Sequence, residues 1–182
     1  DDDDDENGPT FSVRTALLDE KTSAAVFIGE CAKHAGAAFA PHIEASVRSL
    51  WETCGYFHPE VRGASTRSLA FCVTAAAKAE NLPPWRKGAS VLTPETLPQA
   101  TQTLHGQVVP ALMKIFAEDD DKDVVAAASE ALSEIATGLG PAGIAHLAPK
   151  LTSTVVRLLK QKHPCMVDDE DDDDIDPDSD HD

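Results

Sequence analysis

Phe39-Ala-Pro-His-Ile43, Val108-Val-Pro-Ala-Leu112 and Leu147-Ala-Pro-Lys-Leu151 are three versions of one pentapeptide, each with an apolar residue at both ends and proline at its centre. The first and last align further without a gap, setting Val47 against Val155 and Leu50 against Leu158. The middle copy continues to Ile115 and Phe116. Pro110 and Pro149 are 39 residues apart, whereas Pro41 and Pro110 are separated by 69, which reads as the same period with an insertion of 30. The segment 81–104, opening on Asn-Leu-Pro-Pro-Trp85, can hold that insertion. The stretches before these copies also correspond. Val61…Leu69 matches Val124…Leu132 with the same spacing, and Ile28 takes the slot of Leu69 about 41 residues earlier.

Each copy sits in a helical pattern. Residues 19–36 place Ala24, Ala25, Ile28, Cys31 and Ala32 on one face, with Asp19 and Glu20 suiting the positive helix start and Gly36 a stop. Residues 39–56 repeat it through Ile43, Val47, Leu50, Trp51 and Cys54, with Pro41 in the first turn. Helices follow at 59–80, 94–117 (where Pro98 and Pro110 invite kinks), 123–139 and 144–162. No segment alternates with period two. A helix pair recurring every 39–41 residues, rich in alanine, predicts an all-α solenoid of about three HEAT-type pairs. The expected division is an acidic disordered segment 1–10, units at 11–57, 58–117 (loop insertion near 81–93) and 118–163, and an acidic disordered segment 164–182.

Charge supports that division. Of 32 acidic residues, six lie in 1–6 and eleven in 168–182, so 15 acids face 15 Lys and Arg in between. Blocks of like charge repel themselves and act as interaction tails; their complement is a basic protein, not nucleic acid, for which no basic stripe exists. No membrane-spanning segment is expected. The chain starts at Asp within an acidic run and reads as a piece of a longer protein.

Chemistry-bearing motifs are missing. The seven His include no H-E-x-x-H, no C-x-x-C joins Cys31, Cys54, Cys72 and Cys165, and no phosphate loop or nucleophile elbow occurs. The four cysteines read as free thiols that pack as small hydrophobes, and His42 and His146 as capping or surface groups. No catalytic residue, metal or cofactor is expected.

Several stretches resemble karyopherin-β proteins of the importin-4 type: Phe11-Ser-Val-Arg-Thr-Ala-Leu-Leu-Asp-Glu-Lys21 after an acidic run, Ile28-Gly-Glu30, Ala38-Phe-Ala-Pro-His-Ile-Glu44, Phe57-His-Pro-Glu-Val-Arg62, and the closing acidic block. The resemblance implies a nuclear import receptor, moving between cytoplasm and nucleus, that binds basic cargo such as histones and ribosomal proteins. It also implies release by the GTPase Ran and contact with nucleoporins through the parent protein. The second helices of successive pairs line the inner face of a solenoid. Glu44, Arg48 and Glu52 form one row there, with Trp51 at the border of the apolar face. Glu44, Trp51 and Glu52, with Asp168, Asp169, Glu170, Asp171, Asp172, Asp173 and Asp174, are the candidate cargo contacts. The last helix is basic (Lys150, Arg157, Lys160, Lys162), the wrong sign for such cargo, so the tract from Asp168 is expected to fold back onto it. A HEAT scaffold subunit or a histone chaperone acting through its acidic ends alone are the competing readings.

Overall fold

A computed structural model describes residues 8–88 and 93–166, with side chains from Thr15 onward. Its elements are α1 (Gly8–Ala35), a 3-10 segment (Gly36–His42), α2 (Ile43–Cys54), α3 (Pro59–Ala79), α4 (Gln99–Glu118), α5 (Lys122–Leu139), the single turn α6 (Pro141–Ile144) and α7 (Ala148–Leu159). No strand occurs among the described residues. The chain is all-α and HEAT-like: α1, α3 and α5 pack side by side as one layer, α2 and α4 cover α3 on the other, and α7 follows against α4.

Small residues let the first layer close up. Buried α3 carries Gly63, Ala64, Ser65, Ser68, Ala70 and Ala75 through Ala77. Gly29 of α1 lies against Ser68, whose hydroxyl donates to the Ala25 carbonyl at 2.7 Å, and Gly138 of α5 lies against Thr74. Leu50, Leu69, Leu112, Ile135 and Leu139, all fully buried, fill the space between layers. The seam is continuous from Ala25 to Cys165. Burying a side chain of this size contributes about 1.5–3 kcal/mol, so no single pair is self-sufficient.

Helix ends follow local chemistry. Gly36 (φ 52°) stops α1, as read, and Gly140 (φ 61°) stops α5. Asp121 caps α5 by accepting from the Asp123 and Val124 amides at 2.9 and 3.0 Å. Helix α4 has Pro98 before it and no cap of its own; Glu80, at the end of α3, supplies one. Its carboxylate accepts from the Ala100 and Thr101 amides (3.1 and 2.7 Å) and the Thr101 hydroxyl (2.7 Å). Burial pushes the Glu80 pKa up, but these three donors outweigh it and hold it below the ordinary carboxylate value.

Arg62 ties the α2–α3 turn to the α4–α5 turn. Its Nη1 donates to the Tyr56 and Phe57 carbonyls at 3.2 and 3.0 Å, and its Nη2 to Asp119 at 3.1 Å. Both charged partners are mostly buried, at 17% and 14% exposure. The run 118–121 is therefore structural in part: Asp119 pairs with Arg62 and also accepts from the Asp121 amide.

Three expectations need correcting. Helix α1 begins eleven residues before Asp19, so Asp19 and Glu20 are exposed mid-helix residues, not a helix start. Pro41 and Pro149 both lie near the passage from a 3-10 segment into an α-helix, Pro41 inside the 3-10 segment rather than in the first turn of α2 and Pro149 in the first turn of α7. Pro110 does not: it lies inside α4, twelve positions in. Its ring is exposed, and the carbonyl it leaves unbonded belongs to Gly106, which has open space around its Cα. The 144–162 helix is also divided, into α6, a 3-10 turn (Ala145–Leu147) and α7. The acidic segments 1–7 and 167–182 lie outside the described residues.

Candidate functional site

Helix α2 has only Ser46 and Leu50 buried, since an amphipathic helix packed on α3 covers the core with one stripe and leaves the rest to solvent. Between that free side and the first half of α4 runs a groove of about 770 Å³, lined by Ile43, Glu44 and Val47 from α2, Glu80, and Gln99, Thr103, Leu104 and Gln107 from α4. It continues into a recess of about 650 Å³ bounded by Glu44, Val47, Arg48, Trp51, Glu52 and Gln107. Glu44, Trp51 and Glu52 are thus brought onto one wall.

Trp51 is 44% exposed, so packing does not consume its indole. Arg48 donates to Glu44 at 3.0 Å, but both are largely solvated, and such a pair is worth about 0.3–0.5 kcal/mol. An incoming cation can take Glu44 from Arg48 at little cost. The wall thus offers an aromatic face beside carboxylates, opposite a wall of amide and hydroxyl groups. That set of groups attracts lysine and arginine side chains through charge and through the ring's negative face. Asp168, Asp169, Glu170, Asp171, Asp172, Asp173 and Asp174 lie outside the described residues.

The α4 wall was not named as a site although a helix over 94–117 was expected, because which of its sides faces α2 depends on how the two helices pack. A second groove of about 740 Å³ separates α4 from α7, between Pro110, Lys114 and Glu118 on one side and His146, Pro149 and Lys150 on the other. His146 is exposed and its pKa lies below the ordinary histidine value, chiefly through desolvation and then the nearby His105 ring.

Among the described residues one Cys–His pair occurs. His163 Nδ1 is 3.1 Å from the Cys165 sulfur and accepts from the Cys165 amide at 3.3 Å, while Nε2 meets the Phe116 carbonyl at 3.0 Å. The amide contact makes Nδ1 the bare nitrogen, so Nε2 carries the proton and donates. Both residues are buried, and desolvation pushes the thiol up, opposite to what a nucleophile needs. The pair ties the turn after α7 to α4. Burial likewise pushes Cys54 to about 11 and Cys72 to about 12. Among the described residues no group of His, Cys, Asp and Glu is placed to hold a metal ion, and no helix is long and apolar enough to cross a membrane.

No family model matches the chain. It is similar to the "Probable importin subunit beta-4" of Schizosaccharomyces pombe, with 29% identity over 121 residues, covering 66% of this chain and 11% of that protein. It is also similar to "Importin-4" of Homo sapiens, with 26% identity over 167 residues, covering 88% of this chain and 14% of that protein. The chain spans about a tenth to a seventh of the length of these relatives. Together with the all-α HEAT-like packing, these similarities support a karyopherin-like relationship.

Proposed function

We propose that this chain is a segment of a nuclear transport receptor and that its α2/α4 groove binds basic segments of cargo proteins, histones and ribosomal proteins among them. The observation that carries the reading is the wall on which half-exposed Trp51 stands with Glu44 and Glu52. The importin names of the two relatives agree with it. The role is binding, not catalysis. The parent receptor would move between cytoplasm and nucleus, meet nucleoporins, and surrender cargo to Ran through surfaces elsewhere in its length. The residues divide into repeat units 11–57, 58–117 and 118–163, and the acidic tract 168–174 acts as a counter-ion that raises the encounter rate with basic partners.

The test is a titration of the full chain, and of a chain lacking 1–6 and 168–182, with a lysine- and arginine-rich peptide. Binding that survives the deletion supports the groove. Binding that vanishes transfers the function to the acidic ends and makes the chain a chaperone-like module. No binding in either leaves a HEAT scaffold.

A further inference from the structure

From residue 135 to residue 167 there is no Asp or Glu, while Lys150, Arg157, Lys160 and Lys162 all fall there. They lie on α7 and the turn that follows it, and each is exposed. No ion pair engages any of the four among the described residues, and Arg157 donates to the Ala117 carbonyl at 3.3 Å. The same helix exposes Val155, Val156 and Leu159, the last at 80%. An outer helix face that is apolar, basic and unpaired fits an acidic chain that lays its backbone along the apolar stripe.

One such chain is tethered beside it. Pro164–Met166 forms a single 3-10 turn, with Cys165 near Lys122, Asp119 and Asp121. Two residues after Met166 the tract 168–174 begins, seven acids without interruption. The eight residues from 166 to 174 reach about 27 Å when extended, and α7 is about 18 Å long, so the tract can run back along its full length. Of the other acids near this end, Asp119 is held by Arg62, Asp121 caps α5 and exposed Asp120 lies toward Arg62. Glu118 shares the α4/α7 groove with Lys150 and competes for that lysine alone, leaving Arg157, Lys160 and Lys162 to the tract.

We propose that the exposed face of α7 is a docking surface for the acidic tract 168–174 of the same chain, and that basic cargo displaces the tract from it. The exchange rests on the cargo reading above; the docking does not. Tethering over so short a link sets an effective concentration on the order of millimolar, enough to populate individually weak pairs. Those pairs weaken as the Debye length falls from about 20 Å to about 4 Å between 20 and 500 mM salt.

The experiment records backbone amide NMR shifts of residues 148–162 in the full chain. The comparison is the full chain carrying Glu170→Gln together with Asp→Asn at 168, 169, 171, 172, 173 and 174. The expected result is distinct α7 shifts in the two chains at 20 mM NaCl, converging at 500 mM and unchanged on tenfold dilution. Superimposed spectra at 20 mM overturn the docking, as does a difference that dilution removes, which would place the tract on a second copy. Adding a lysine-rich peptide to the native chain should then move α7 toward the variant's shifts. A peptide that binds while α7 stays put overturns the exchange and leaves the groove reading intact. An α7 that senses the tract in a chain no basic peptide binds supports the docking and removes the cargo reading.

Discussion

Arg62→Ala is the perturbation that most directly weighs the join between the α2–α3 and α4–α5 turns. The guanidinium lies at 17% exposure, donates to two carbonyls of the α2–α3 turn, and meets Asp119, at 14% exposure, in the α4–α5 turn. Removing one member of a buried ion pair costs about 3–5 kcal/mol, because the other is left desolvated and uncompensated. The two carbonyl bonds, about 1 kcal/mol each, overlap with that figure since the same side chain makes them. With a urea dependence of about 2 kcal/mol per molar for a chain of this size, the midpoint falls by about 1.5–2.5 M. The assay is urea unfolding followed by circular dichroism at 222 nm, for Arg62→Ala, Asp119→Ala and the double variant. The double variant should lose less than the sum of the singles by at least about 1.5 kcal/mol. A single-variant loss below about 1 kcal/mol, or additive losses, would refute the claim that this pair couples α3 to the α4–α5 turn.

Three further outcomes follow from individual contacts. Gly138→Ala places a Cβ 2.6 Å from the Thr74 methyl, so overpacking of about 1–3 kcal/mol exceeds the gain of about 1 kcal/mol from helix propensity. Adding Thr74→Ser should restore stability in thermal melts; a stabilising Gly138→Ala alone would show that the α3–α5 approach is looser. Glu80→Ala should cost about 0.5–2 kcal/mol at pH 7, as lost helix caps do. Because the folded-state pKa of Glu80 is depressed, that contribution is present above the unfolded value and fades as the pH drops through the folded one. Unfolding of the two proteins at pH 7 and pH 3 checks the sign, and a gap that widens in acid contradicts it. Cys54 and Cys72, pushed to about 11 and about 12, should resist a thiol reagent at pH 8 in the folded chain and react in urea. Rapid labelling of Cys72 without denaturant would contradict its burial.

Helix positions were legible because apolar residues recur with the helical period where one face meets the core, as in α2 and α7; central α3, buried on consecutive residues from Cys72 to Ala77, lacks that single stripe. The stops at Gly36 and Gly140 were legible for a local reason, the positive φ that glycine tolerates. What escaped was non-local. The trans cap from Glu80 to α4 spans about twenty residues of sequence, and the pairing of Arg62 with Asp119 spans 57. Neither leaves a periodic trace. Pro110 misled for the opposite reason: a pentapeptide match fixed a register that the fold does not share, since proline is tolerated on the exposed side of α4. On the candidate site, the α2 wall was read from its i, i+4, i+8 row, whereas the α4 wall depended on how the layers meet.

The account stands most directly on where a basic peptide lands. Amide shift mapping of the full chain during titration with a lysine- and arginine-rich peptide should perturb residues 43–52 and 99–107 together, and Glu44→Gln with Glu52→Gln should weaken the binding by at least about tenfold. Perturbation confined to 168–182, with affinity unaltered by those two substitutions, would contradict it.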